Sequence, residues 1–191
     1  HWIAQDILTY LKVAKGSRMR GDFLRIINKP NRYIARDSFF EPEVSFESLY
    51  QIYEEKQWMC ERVEKLEHDL KVLQGMTPFG AVNYIRYGIG YEGYLKEYAQ
   101  YRKIKPEELL EILDELQDTT RGFDQVDGWL SHIDRYKAEM QRQNQSRERE
   151  QNGITVSTLH SVKGLEFDNV YILDLNLSLI HISEPTRHAQ I

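Results

Sequence analysis

The sequence predicts a chain of the α/β class that is mostly α, and three observations carry that expectation. Apolar residues recur at helical spacing from Ile3 to Tyr136. A strongly polar stretch follows, from Lys137 to Asn152. After Gly153 the pattern changes to two short β-like runs, Ile154 to Leu159 and Val170 to Leu175, which suits strands of a buried parallel sheet.

The elements justify this in order. Ile3, Ile7, Leu8 and Leu11 share one face of a helix that runs to about Lys15, where Gly16-Ser17 supplies a stop. Asp22 is placed to cap a short helix carrying Phe23, Leu24, Ile26 and Ile27, and Asn28-Lys29-Pro30-Asn31-Arg32 then breaks the pattern, a plausible domain boundary. Leu49, Ile52, Tyr53, Trp58, Val63, Leu66, Leu70 and Leu73 fit two helices packed as a hairpin and ended by Gly75. Thr77-Pro78 is an N-cap with proline in the first helical position, and Gly88 is the matching stop.

Tyr91, Tyr94, Leu95, Tyr98 and Tyr101 form one stripe, read as core in preference to a stacking surface for bases. Pro106 opens the next helix through Leu116, and Asp124 is placed to cap another with Val126, Trp129, Leu130, Ile133 and Tyr136. Arg142, Arg147 and Arg149 alternate with Glu148 and Glu150, so the polar stretch reads as a solvated helix end and linker rather than a phosphate-binding arm.

Composition narrows the function. With 191 residues and 41% hydrophobic content there is material for one core and part of a second. Lys+Arg number 25 against 30 Asp+Glu, a formal charge of -5, so any nucleic-acid contact has to be local. The single cysteine, Cys60, has no internal disulfide partner and reads as a small buried hydrophobe. No apolar run approaches the roughly 20 residues of a membrane span, and no secretory signal opens the chain, which makes a reducing cytoplasm the expectation.

The chemistry concentrates in Thr158-Leu159-His160-Ser161-Val162-Lys163-Gly164-Leu165-Glu166-Phe167, between the two β-like runs. Thr158, His160 and the amides of the turn can donate hydrogen bonds to phosphate oxygens, and Lys163 adds positive charge. Gly164 allows a sharp turn or a close approach to a ligand. Glu166 only accepts hydrogen bonds when ionised, which suits a ribose hydroxyl and not a phosphate. At the end of a strand in an open α/β sheet, such a loop lies where ligands bind.

This segment resembles motif V of the UvrD/PcrA/Rep-like superfamily 1 DNA helicases, and every position of the motif is matched. Trp2 to Leu11 and Phe23 to Ile34 are similar to the segment by which that family leaves its second motor domain for an accessory insertion, and Gly90-Tyr91-Glu92-Gly93-Tyr94-Leu95 looks like a hallmark of the insertion. The resemblance implies a helical accessory domain, residues 31–151, inserted in a partial RecA-like parallel-sheet domain formed by residues 1–30 and 152–176. It implies that Thr158, His160 and Lys163 bind the single strand, and that Glu166 and Gly164 serve the ATP site. The parent would be an ATP- and Mg2+-dependent 3'-to-5' DNA helicase of repair, recombination or replication, acting on single-stranded and duplex DNA, with no membrane association; its protein partners are not indicated. Lys29 and Arg32 are candidates for duplex contact, Arg32 equally for a structural ion pair.

The sequence departs from the family in what it lacks: no Gly-x-x-x-x-Gly-Lys-Ser/Thr loop, no Asp-Glu pair on an apolar strand and no downstream arginine motif. With a helix already under way at His1, the expectation is a fragment that is inactive alone. Leu177 to Arg187 resemble a translated sequencing adapter, so residues 177–191 are set aside as an adapter-derived tail. The alternative reading is a non-motor DNA-binding or partner-docking module with a degenerate helicase fold. A helicase-nuclease subunit is a third reading within the family.

Overall fold

The computed structural model describes residues 1–147, 154, 156–158, 162, 166–167 and 169–172. Contacts divide the chain into two units, His1–Gln145 and Ser146–Ile191.

The first helix, α1 (Trp2–Ala14), is buried on nearly every side: Ile3, Asp6, Ile7, Thr9, Tyr10, Leu11, Val13 and Ala14 are all enclosed. A helix apolar around most of its circumference belongs in the centre of a bundle, and α1 packs on three others, α2 (Arg20–Ile26), α4 (Gln57–Leu73) and α7 (Pro106–Asp118). Lys15 caps its C-terminus, and Gly16 follows in the left-handed region at φ +110°, as the stop signal requires. Between α1 and α2, Val44 N–H donates to Arg18 O at 2.7 Å and Arg20 N–H to Pro42 O at 2.9 Å, which ties the following loop back to the start of α2.

Asp22 does not cap α2. That helix begins at Arg20 behind an extended Met19 that offers no side-chain cap. The Asp22 carboxylate lies inside the first turn, accepting from Ser17 Oγ at 2.5 Å and pairing with Lys12 Nζ at 2.8 Å. An acid there still interacts favourably with the helix dipole. The expected hairpin is α3 (Phe46–Ile52) against α4, with Ser45 capping α3. Cys60 sits near the start of α4, half-buried, with Sγ donating to Tyr53 O at 3.2 Å.

Thr77 caps α5 (Pro78–Asn83), its hydroxyl accepting from Gly80 N–H at 3.2 Å. The helical segment ends at Gly88 as expected, its last turn, Tyr84–Gly88, being π-helical, but the left-handed residue is Gly90, at φ +92°. A Cβ on Gly88 would lie 2.5 Å from the Tyr84 ring, so close approach of that ring, not a left-handed backbone, is what requires glycine there. Helix α6 (Tyr91–Arg102) buries Tyr91, Leu95 and Ala99, a strict four-residue step, and half-buries Tyr94 and Tyr98. Tyr101 falls off this stripe and is 84% exposed.

Helix α7 buries Leu109 and Leu113. The last helix, α8 (Val126–Arg147), begins two residues past Asp124 and inserts Trp129, fully buried, with Nε1 donating to Thr119 Oγ1 at 3.1 Å. Lys137 to Arg147 are helical, the helix end expected of this polar stretch, and from Glu139 to Arg142 the side chains are exposed. A polar helix without an apolar face stays solvated.

No β-strand occurs among the described residues; the one ladder-type contact is an isolated antiparallel bridge between Met19 and Glu43. Ile154, Val156, Val170, Tyr171 and Ile172, expected in buried strands, are exposed and irregular. A parallel strand is stable only with neighbours on its edges and cover on both faces, and the described residues supply neither. None of the described helices is long and apolar enough to cross a membrane.

Candidate nucleic-acid and nucleotide interface

Of the residues singled out for chemistry, Thr158 and Glu166 are described and both are exposed. Val162 N–H donates to Thr158 O at 3.3 Å. His160, Lys163 and Gly164 lie outside the described residues.

In the helical body the charged residues near the family-like segments are turned inward. Asp6 is fully buried on α1 and accepts from Lys29 Nζ at 2.7 Å and from the Tyr91 hydroxyl at 2.9 Å. Arg25 Nε stands 3.0 Å from its other oxygen, an ion pair whose N–H is not aligned for a hydrogen bond. Burial, reinforced by the Asp6 carboxylate, pushes the Tyr91 phenol well above its ordinary value, so it stays protonated and donates. Lys29 also lies over the Trp2 ring, 5.5 Å from its centroid.

Arg32 makes no ion pair among the described residues. Its guanidinium is buried and donates to Ile26 O (3.2 Å), Ile27 O (3.0 Å) and Pro30 O (3.3 Å), with Nη2 donating to the Tyr10 hydroxyl at 3.0 Å. A planar group with five donors suits this cluster of carbonyls at and just beyond the end of α2. Tyr10 is raised in turn, by burial first and against the opposing pull of Arg32. Arg32 is therefore a structural group of the loop that follows α2, while Lys29, its side chain 28% exposed, has its ammonium paired with Asp6.

A second buried cation joins the π-turn to α6 and α7. Arg86 donates to Glu92 Oε2 at 2.9 Å, Asp114 Oδ1 at 2.7 Å and Gln117 Oε1 at 2.5 Å. Burial alone would raise the Glu92 carboxyl, but Lys96 and Arg86 more than offset it and hold it below the usual range. Asp69, fully buried on α4, accepts from the Tyr84 hydroxyl at 2.8 Å, and burial with that carboxylate pushes the Tyr84 phenol up to about 12.

Sequence reasoning missed one surface constellation. Arg62, on α4, lies between the exposed rings of Trp58 and Tyr33, 4.7 and 4.9 Å from their centroids. The spacing of Trp58 and Arg62, four apart on one helix, was a legible signal; the approach of Tyr33 from a loop was not.

The described residues thus form a helical body led by α1, with the exposed Thr158 and Glu166 further along the chain. The sequence matches the UvrD-like helicase C-terminal domain over residues 4–180, and the chain belongs to that family. The match takes in 177–180, the first residues of the tail set apart above. Among curated proteins, the chain is similar to the "Putative ATP-dependent DNA helicase YjcD" of Bacillus subtilis (strain 168), 24% identical over 139 residues. That alignment covers 71% of this chain and 17% of the relative, so the chain spans about a sixth of the relative's length. No solved structure matches the chain.

Proposed function

We propose that this chain is part of an ATP-dependent 3'-to-5' DNA helicase or translocase of repair, recombination or replication, working in the cytoplasm and inactive alone. Family membership over residues 4–180 carries the reading; the motif from Thr158 to Phe167 gives it chemistry. Thr158 and His160 donate hydrogen bonds to backbone phosphates of a single strand, and Lys163 adds a positive charge beside them. Gly164 lets the turn approach its ligands closely, and Glu166 accepts a hydrogen bond from a ribose hydroxyl of ATP. Exposure of Thr158 and Glu166 is compatible with contact to both ligands. ATP supplies the phosphoryl-transfer chemistry when bound. Among the described residues no three His, Cys, Asp or Glu side chains group as a metal site, so the proposal assigns no Mg2+ ligand to them. Residues 177–191 are given no part in the function.

In the full-length enzyme, Glu166→Ala is expected to remove most DNA-stimulated ATP hydrolysis while single-strand binding persists. Hydrolysis at the wild-type rate in that variant would end the assignment of Glu166 to the nucleotide.

A further inference from the structure

The loop from Asn28 to Ala35 is fastened from several sides, yet it holds one ring out to solvent. The Asn28 side chain donates to Ile34 O at 2.8 Å and accepts from the N–H groups of Arg32 (3.1 Å) and Ile34 (3.2 Å). Asn31 Oδ1 accepts from Tyr33 N–H at 3.0 Å, Arg62 Nη1 donates to Arg32 O at 3.0 Å, and the Tyr53 hydroxyl accepts from Ala35 N–H at 3.0 Å. Within this frame Tyr33 has φ +57°, a left-handed conformation unfavourable for a bulky residue. Its ring is 66% exposed, and Trp58 is 52% exposed.

A clip that served packing alone would bury its rings, because buried area is the main gain an aromatic side chain offers a fold. Here two large rings stay in water with a guanidinium between them. Over residues 54–65 four acids, Glu54, Glu55, Glu61 and Glu64, stand against three bases, Lys56, Arg62 and Lys65, so the surface lacks the field of a phosphate track. What it presents is two π-faces and one delocalised cation, groups that stack on a planar heteroaromatic ring whatever its identity.

We infer that Tyr33, Arg62 and Trp58 form a stacking site for unpaired nucleobases on the helical body, separate from the turn at Thr158 to Glu166; the inference rests on the reading of the chain as part of a DNA motor. Bases within a duplex already stack on one another and leave no free faces, so the site takes single strand.

The test is a titration of the chain with oligo-dT, with an abasic strand of equal length and with a blunt duplex, followed by tryptophan fluorescence. Trp129 is buried and Trp2 partly buried, so Trp58 is the exposed indole. Oligo-dT is expected to quench it, with a shallow salt dependence. Read by the anisotropy of an end-labelled oligo-dT, which does not depend on the Trp58 indole, Trp58→Ala and Tyr33→Gly each weaken binding about tenfold, the scale of one lost stack, and Trp58→Phe keeps most of it. Glycine tolerates the left-handed backbone, so Tyr33→Gly removes the ring without unsettling the loop. Equal binding of the abasic strand or duplex, or wild-type affinity in both variants, overturns the site. DNA-stimulated hydrolysis in the full-length enzyme separates the two ideas: its presence with unaltered affinity in Trp58→Ala sinks the stacking site alone, and its absence with stacking intact sinks the motor reading alone.

Discussion

The Tyr91 hydroxyl donates to the Asp6 carboxylate across 2.9 Å, joining positions 85 residues apart. It links the first residue of α6 to the middle of α1, the helix around which the body is arranged. Asp6 is fully buried, and without the Tyr91 hydroxyl it keeps Lys29 Nζ on the same oxygen at 2.7 Å and the misaligned Arg25 beside the other.

Tyr91→Phe is therefore expected to destabilise the helical body by about 2 kcal/mol, the range for a hydrogen bond to a buried charge. A urea denaturation midpoint equal to that of the wild type would show that the pair contributes nothing.

Gly88 and Gly93 should respond to alanine with opposite signs. At Gly88 a Cβ meets the Tyr84 ring at 2.5 Å, and overpacking of this kind costs about 1–3 kcal/mol. At Gly93, inside α6, a Cβ meets nothing within 4 Å, and alanine should add about 0.5–1 kcal/mol through helix propensity. Thermal melting of the two variants checks both, and a rise in Tm for Gly88→Ala would contradict the packing of the π-turn.

Arg86→Met leaves Glu92 half-enclosed without its main buried partner, and a loss of about 3 kcal/mol is expected on breaking such a network. Glu92 is held below its ordinary range in the folded chain. Its contribution is therefore present above the unfolded carboxyl value and lost as pH falls through the lower folded value. Acid titration of stability should accordingly be flatter in Arg86→Met than in the wild type; equal slopes would remove the coupling.

At alkaline pH the tyrosines act in the reverse sense. Tyr50 and Tyr84 are pushed up to about 12, each by burial first and then by its carboxylate neighbour, Glu67 or Asp69. A phenol raised in the fold contributes stability that is complete below the unfolded value of 10.0 and lost as pH climbs toward the folded one. Denaturant midpoints should thus fall between pH 10 and 12, and less steeply in Tyr84→Phe, within the span of those two values. A midpoint independent of pH over that window would contradict the assignment.

In the full-length enzyme, Lys163→Gln should reduce the slope of log affinity against log salt for single strands by about 0.7, one phosphate contact, while Glu166→Gln leaves it unchanged. Binding isotherms at four salt concentrations decide it, and an unaltered slope in Lys163→Gln would take that lysine off the strand.

Much of the helical body was legible from residue order, because a helix records its buried face in a local period. Ile3, Ile7 and Leu11, the Thr77-Pro78 start and the Tyr91 and Leu95 pair each predicted what was found. Asp22 misled because an acid in the first turn and an acid at the cap look alike in sequence. Of the motif residues, Thr158 and Glu166 were named by the resemblance of the motif together with their side-chain chemistry, and no helical period could have done so.

The sequence by itself determined the helices, their faces and the family to which the chain belongs, since these depend on neighbours three or four residues away and on an ordered run of motif residues. Only the tertiary structure decided that Arg32 faces inward on carbonyls, that Asp6 meets Tyr91, and that Arg62 stands between Trp58 and Tyr33. Those are contacts between distant segments, fixed by which groups must be satisfied once water is excluded, and no local pattern encodes them.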